Sequence, residues 1–384
     1  MAEVSRILIS VPNWVGDVVM ATSALRAVRR RFPSAHIVHL MRPYVADVLA
    51  GTDFSDATVF WSGSGGRGVR AAAALAGRLR RERIDLAILL TNSFRSALVA
   101  YLSGATRRVG YSREGRGPFL TDRLRPPKEG RRFVPIPALD YYNALAKAVG
   151  CDDPGDALEL GTTPADEAAI DERLGKRRGD GPLVVLNPGA NYGSAKCWPA
   201  ERYAALADAL TREHGARVVA SLGPREREIA DRLVAAAQEP IEVFVDPPLG
   251  LGPLKALVRR CRLLITNDTG PRHFAPAFGV PVVTVFGSSD PAWTETRFAK
   301  ERIAMLNLEC QPCMERVCPL KHHDCMRKLE PSVVLEKAAE LLACGPVSKQ
   351  INEQNGQFGC PAPSKGGGRI PRNRSAENPF SAST

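Results

Sequence analysis

Cys261-Arg262-Leu263-Leu264-Ile265-Thr266-Asn267-Asp268-Thr269-Gly270-Pro271-Arg272-His273 carries the pattern that decides the fold. An apolar, strand-like run over 261–266 passes through small hydrogen-bonding residues into a segment, 272–278, patterned as a helix. A strand end feeding a helix start exposes unpaired backbone N–H groups and the positive end of a helix dipole, which together favour an anion. Thr269 and Gly270 let a phosphate approach closely, and His273 lies on the first helical turn, within reach of the same ligand. An ordinary capped helix after a strand is the competing reading of the junction taken alone.

Outward from this junction, strand-like and helix-like segments alternate. Residues 183–186, 217–222, 241–245, 263–266 and 282–286 read as strands, with helices at 200–213, 225–237 and 254–259. An earlier block repeats the pattern, with strands at 7–11, 37–40, 86–90 and 107–111. Its first helix places Val18, Ala21, Leu25, Val28 and Phe32 on one face. Short apolar runs alternating with helices predict parallel sheets covered on both faces. The expected fold class is α/β: two Rossmann-like, doubly wound parallel-sheet domains with a cleft between them. The expected boundaries are 1–165 and 180–345. A Ser/Gly/Pro/Asn/Arg-rich tail, 346–384, is expected to be disordered. The stretch 63–77 is too weakly patterned to assign, 115–137 reads as a long loop, and 152–180 as a polar connection. Ligands of such sheets bind outside the carboxyl ends of the strands, where Gly16, Gly189 and Gly270 all fall.

Composition narrows the class. The 384 residues are 44% hydrophobic and 24% charged, as in a globular protein, and no 18-residue apolar stretch suggests a membrane span. The apolar start at 7–11 is closed by Pro12-Asn13 and is too short for a secretory signal. A cytosolic location with the nine cysteines mostly reduced is therefore expected. The net charge of +11 is concentrated: residues 67–132 hold 16 Lys/Arg against 5 Asp/Glu, an excess of 11, so the remainder nets to zero. Such a block suits an acidic partner (phosphorylated sugar or lipid, membrane surface or nucleic acid), with a solvated arginine-rich surface as the alternative.

Neither half carries G-x-G-x-x-G after its first strand, and there is no Walker A pattern, which argues against an oxidoreductase and a P-loop enzyme. Polar residues gather instead at three strand-to-helix junctions. Asn13-Trp14-Val15-Gly16-Asp17 sets an aspartate at a helix start, either a cap or a general base projecting into the cleft. The run Asn187 to Pro199 offers Gly189 and Gly193 for backbone approach and places Lys196 just before a helix. There its point charge can neutralise a diphosphate without a metal. The third junction is the opening one, with Asp268, Thr269, Gly270 and His273. A separate cluster, Cys310-x-x-Cys313-x4-Cys318-x6-Cys325 with His322-His323 inside it, is compatible with a structural zinc or with free or disulfide-linked cysteines. It reads as an annex to the reaction centre. A nucleic-acid-binding protein is disfavoured because the basic block and the cysteines lie in different halves and no aromatic-rich basic surface is evident.

Trp14-Val15-Gly16-Asp17, the run Asn187-Pro188-Gly189-Ala190 to Lys196-x-Trp198-Pro199, and Asn267-Asp268-Thr269-Gly270 to His273 resemble family 9 glycosyltransferases, the bacterial ADP-heptose:lipopolysaccharide heptosyltransferases. The resemblance covers residues 6–342. Asn92-Ser93-Phe94 with Ser96-Ala97, and the segment from Cys310 to Cys325, look most like the members that add the second heptose of the inner core. The resemblance implies a GT-B fold, with an N-terminal acceptor domain and a C-terminal nucleotide-sugar domain. It also implies an inverting, metal-independent transfer without a cofactor. Asp17 would be the base that deprotonates the attacking hydroxyl, and Lys196 would stabilise the ADP leaving group. Gly189, Ser194, Thr269 and Gly270, with Asp268 and His273 nearby, would hold the ADP-heptose donor. Asn92, Ser93, Arg95, Arg113 and Arg116 are the expected contacts to the acceptor, an acidic lipid A/Kdo saccharide bearing one heptose. A monomer held peripherally at the cytoplasmic face of the inner membrane, with no nucleic acid partner, completes the expectation. Another family 9 heptosyltransferase, acting on a different acceptor, is the alternative. Cys197 departs from the basic residue expected beside Lys196.

Overall fold

The computed structural model describes residues 4–61, 69–130, 132–175, 181–190 and 193–343; the tail expected at 346–384 lies outside them. In the first half, β1 (Arg6–Ser10), β2 (His36–Met41), β3 (Ala57–Phe60), β4 (Leu86–Leu89), β5 (Arg107–Tyr111) and β6 (Asp122–Leu124) form a parallel sheet in the order β3-β2-β1-β4-β5-β6. A small hairpin, β7 (Lys128–Glu129) with β8 (Arg132–Phe133), follows. The second half repeats the plan with β9 (Leu183–Asn187), β10 (Arg217–Ser221), β11 (Glu242–Phe244), β12 (Leu263–Asn267), β13 (Val282–Val285) and β14 (Glu301–Ala304). Their order is β11-β10-β9-β12-β13-β14, again parallel throughout. Every residue of β4, β12 and β13 is buried, which explains the unbroken apolar runs: strands covered on both faces have no polar side. Two doubly wound sheets of this order define the GT-B architecture.

The helices of the first half are α1 (Val15–Met20), α2 (Thr22–Arg31), α3 (Ala46–Leu49), α4 (Val69–Arg80), α5 (Phe94–Leu102) and α6 (Ala138–Ala148). Then come α7 (Pro164–Leu174), α8 (Ala200–His214), α9 (Arg227–Ala236), α10 (Leu251–Arg260), α11 (Phe274–Ala277), α12 (Asp324–Arg327) and α13 (Pro331–Ala343). Three apolar layers result. Leu8, Val38 and Leu89 pack under Leu79 of α4 and Ala97 of α5 on the outer face of the first sheet. Leu186 and Val218 pack under Tyr203, Leu233 and Leu341 on the outer face of the second. The middle layer is shared: Ile9, Leu25 and Tyr141 from one half are continuous with Val219, Leu257 and Phe274 from the other.

Several segments differ from the sequence reading, each for a local reason. The helix expected through 18–32 divides at Ala21, where the Thr22 hydroxyl donates to the Val19 carbonyl at 2.7 Å. The stretch 115–137 is not all loop: β6 extends the sheet edge, tied to β5 by the Arg107–Asp122 ion pair at 3.0 Å. The polar stretch 152–180 contains α7, which buries only Ile170 and so lacks an apolar stripe. A capping box supports it, with Thr163 Oγ1 accepting from Asp166 N and Asp166 Oδ2 accepting from Thr163 N. The helix expected at 272–278 is a 3-10 turn, Gly270–His273, followed by the four-residue α11.

The halves meet most closely where α1 begins and the Gly270 turn begins. A β-carbon at Gly270 would lie 2.7 Å from Val15 Cβ and 3.1 Å from Gly16 N; one at Gly16 would lie 2.9 Å from His273 Cδ2. Neither position tolerates a side chain, so backbone rests on backbone. Lys255 of α10 adds a second tie. It is fully buried, and its ammonium donates to the carbonyls of Val48 at 3.1 Å and Ala50 at 2.8 Å, at the end of α3. Gly270→Ala is expected to wedge the halves apart. Overpacking of this kind costs about 1–3 kcal/mol, read as a lower urea midpoint, while a compensating Val15→Gly, which removes the contacted Cβ, recovers part of the loss. An unchanged midpoint in Gly270→Ala would contradict the close contact.

Candidate active site

Brought together by that contact, the carboxyl ends of both sheets line one cleft of about 1210 Å³. The strand order reverses between β1 and β4 in one sheet and between β9 and β12 in the other, so loops leaving these strands diverge and leave a crevice. All three junctions singled out in the sequence empty into it. Asp17, Gly189, Lys196, Asp268, Thr269, Gly270 and His273 all line the cleft, although Asp17 and Asp268 are 251 residues apart in sequence.

Asp17 sits in the first turn of α1, immediately after β1, and keeps part of its surface open to the cleft. Burial pushes its carboxyl up to about 6; the hydrogen bond donated by Tyr142 Oη to Oδ1 at 3.0 Å opposes the shift only in part. A carboxylate tuned there is half-ionised near pH 6 and is a usable base at neutral pH.

Across the cleft, Lys196 ends the short turn Ser194–Lys196 and reaches Asp268. Its ammonium donates to Asp268 Oδ2 at 2.5 Å and more weakly to the Asp268 carbonyl at 3.3 Å. Burial alone would raise the Asp268 carboxyl. The charges of Lys196 and Arg272, with hydrogen bonds from Lys196 and Ser289 (2.6 Å), outweigh it and hold the group well below the usual carboxylate range. Arg272 is itself buried and pairs with Asp268 at 3.0 Å and Glu301 at 2.7 Å, while Thr284 donates to the same Glu301 oxygen at 2.7 Å. Lys196–Asp268–Arg272–Glu301 is thus an alternating chain of two cations and two anions. His273 is different: burial first, and then Arg272 beside it, lower its imidazole to about 3, so it is neutral and adds no positive charge to the cleft.

Some predicted residues lie elsewhere. Ser194 is exposed, outside the cleft lining, with its hydroxyl 3.4 Å from His323 Nε2. None of Asn92, Ser93, Arg95, Arg113 and Arg116 lines this cleft. Arg116, expected to face an acceptor, is fully buried. Its guanidinium donates to the carbonyls of Tyr111 (2.8 Å) and Thr91 and to Asn92 Oδ1 at 3.2 Å, so it braces the loop after β4 from within. Asn92 also accepts from Tyr141 Oη at 2.8 Å, Ser93 caps α5, Arg95 lies over the Trp61 ring and Arg113 over Phe133. The dipole argument for the Gly270 junction also needs correction: a 3-10 turn and one α-turn supply little macrodipole, and Pro271 removes an N–H. Positive charge at the cleft therefore comes from side chains, the Lys196 ammonium beside Asp268 and Arg316 further along the lining.

The cysteine segment is no annex. Residues 313–317 form part of the cleft wall, fixed by Met314 N donating to Ser288 O at 2.7 Å and Ala195 N to Arg316 O at 3.1 Å. Among the described residues, no group of three or more His, Cys, Asp and Glu is arranged to hold a metal ion. Sequence reasoning missed Arg272, Glu301, Tyr142 and Glu226. Arg272 was legible, four residues after Asp268. Glu226 lines the cleft beside Gly189 and accepts from Gly223 N at 2.6 Å; it follows a strand-then-glycine junction like the other three. Nothing local to Tyr142 or Glu301 marks them.

Two sheets of this order around a cleft that carries charged groups form the GT-B architecture, and the protein is a glycosyltransferase. The chain belongs to glycosyltransferase family 9 (heptosyltransferase), whose model matches residues 72–323. It is similar to the lipopolysaccharide heptosyltransferase 2 of Escherichia coli, 29% identical over 349 residues, covering 88% of this chain and 98% of that one. It is likewise similar to the lipooligosaccharide heptosyltransferase 2 of Campylobacter jejuni, 27% identical over 343 residues, with the same coverage. Among solved structures, the E. coli ADP-heptose lipopolysaccharide heptosyltransferase II matches with a TM-score of 0.73 at 25% identity, over 88% of this chain and 98% of the other.

Asp268→Asn leaves Lys196 and Arg272 facing a neutral amide in a buried setting. Removing one partner of a buried pair costs about 3–5 kcal/mol. Lys196→Ala should cost less than half of that, because Arg272 still pairs with Asp268. Equal losses in urea unfolding would contradict the chain as drawn. Because the Asp268 carboxyl is depressed, its contribution is fully present above about pH 4, the unfolded value, and fades as pH falls below it.

Proposed function

We propose that this enzyme transfers L-glycero-D-manno-heptose from ADP-heptose to the first heptose of the lipopolysaccharide inner core, on heptosyl-Kdo2-lipid A. The transfer is a single inverting displacement without a metal. The observation that carries this reading is the pairing of a raised-pKa Asp17 from one half with a Lys196–Asp268 pair from the other in one cleft. The names of the relatives support a heptosyl group and a lipopolysaccharide or lipooligosaccharide acceptor.

The N-terminal half takes the acceptor and the C-terminal half the donor. Asp17 removes the proton from the attacking hydroxyl as that oxygen closes on the anomeric carbon, and Tyr142 keeps its carboxylate aimed. The bond from the anomeric carbon to the diphosphate oxygen breaks on the opposite side. The Lys196 ammonium, held at the cleft against Asp268, supplies the positive charge that stabilises the departing diphosphate. Thr269 and Gly270 give the diphosphate close backbone approach, and the Glu226 carboxylate is an acceptor for the donor's hydroxyls. Arg95, half-buried and outside the cleft lining, is the basic contact for outlying charge of the acidic acceptor, whereas Arg113 is buried. A monomer at the cytoplasmic face of the inner membrane fits this role; among the described residues no helix is long and apolar enough to cross a membrane.

Incubation with ADP-heptose and monoheptosylated Kdo-lipid A should release ADP, insensitive to EDTA. Turnover only on the heptose-free acceptor would assign the preceding step instead, and strict need for a divalent ion would sink the metal-free mechanism. Loss of a general base lowers rates about 10²–10⁴-fold, so Asp17→Asn should abolish most transfer while ADP binding holds. Lys196→Ala should weaken both. The kcat/KM profile should rise through an acid limb near pH 6, where Asp17 loses its proton. A limb near pH 4 would separate the base from Asp17.

A further inference from the structure

The outer face of the first sheet carries a feature the cleft chemistry does not use. Phe94 and Tyr101 stand on the exposed face of α5, 46% and 50% exposed, while Ala97 and Ala100 on its other face are buried in the core. Phe119 joins them, its ring 5.2 Å from Phe94 edge-on and 5.5 Å from Tyr101. Three arginines border this triad. Arg108 lies over the Tyr101 ring at 5.4 Å and donates to the Phe119 carbonyl at 2.6 Å. Arg80 donates to the Leu102 carbonyl at 2.8 Å, and Arg123 to the Leu120 carbonyl at 3.4 Å. The acidic neighbour Asp122 is neutralised by Arg107.

Aromatic rings in the middle and guanidinium groups at the border match the layering of an anionic bilayer surface, where rings seat at headgroup depth and arginines meet lipid phosphates. We propose that this face, α5 with the Phe119 turn, docks the enzyme on anionic phospholipid. The inference deepens the reading of the acceptor as a lipid-anchored saccharide. A helix after a parallel strand runs back along the sheet, so Phe94 lies at the end nearest the cleft. Docking by α5 therefore brings the cleft edge of the acceptor half toward the bilayer.

Flotation with vesicles of phosphatidylethanolamine and phosphatidylglycerol (3:1), against phosphatidylcholine alone, tests the surface. Wild type should bind the anionic vesicles at least tenfold better, and lose several-fold in affinity between 0.05 and 0.5 M NaCl. Phe94→Glu with Tyr101→Glu should lower binding at least tenfold; Arg80→Glu with Arg123→Glu, which spares the aromatic contacts, should remove most of the salt dependence. Both double variants should keep the wild-type melting temperature, ADP affinity and turnover on a deacylated, water-soluble acceptor. Equal wild-type binding to both vesicles, or undiminished binding by folded variants, overturns the proposal. So does a lipid-free dimer that the aromatic substitutions disperse, which would assign the face to a second copy. Anionic-vesicle binding as described, without turnover on the soluble acceptor, supports the surface and overturns the acceptor reading.

Discussion

Gly16 and Gly270 touch backbone to backbone, and the cleft exists in its present form because neither carries a side chain. Each glycine sits at the reversal point of its own sheet, Gly16 in the first turn of α1 after β1 and Gly270 at the start of the 3-10 turn after β12. Two sheets of identical strand order face each other through their carboxyl ends, and the glycines set how near those ends come. Asp17, one residue beyond Gly16, and Asp268, two before Gly270, are thereby fixed on opposite walls. The apolar layer shared by the halves and the buried Lys255 tie hold the same geometry from behind.

Within that frame the charges are arranged by sign. A lone buried carboxylate would take up a proton, as Asp17 does until about pH 6. Asp268 is no less enclosed, yet two cations keep it ionised, and it in turn keeps the Lys196 ammonium pointed at the cleft. The sequence leaves unexplained how a carboxylate could stand beside a diphosphate. Here Asp268 is spent on Lys196, Arg272 and Ser289 and presents a cation, held in place, to the cleft. One half thus supplies a carboxyl of raised proton affinity and the other a fixed positive charge.

The repeated alternation of apolar runs with helical segments was enough to read two doubly wound domains, because strands buried on both faces leave a strong signature. Polar glycine-bearing junctions after those strands located Asp17, Lys196 and Asp268. What stayed hidden was set by tertiary contact. Helix α7 buries a single side chain and shows no stripe, and β6 is three residues paired at a sheet edge. Arg116 looks like a surface cation in a basic block, but acceptors from Thr91, Asn92 and Tyr111 draw it fully inside. Tyr142 reaches Asp17 from 125 residues away. The cysteine loop, distinctive in composition, was misplaced because spacing alone does not tell which wall it closes.

In the proposed reaction Asp17 is the base and Lys196 the leaving-group cation, so the transfer is one displacement without a covalent intermediate. The configuration at the transferred anomeric carbon tests this most directly. Product from donor of known anomeric configuration, analysed by NMR, should show inversion. Retention of configuration would contradict the account, because it requires two displacements, with a carboxylate such as Asp17 acting as nucleophile and not as base.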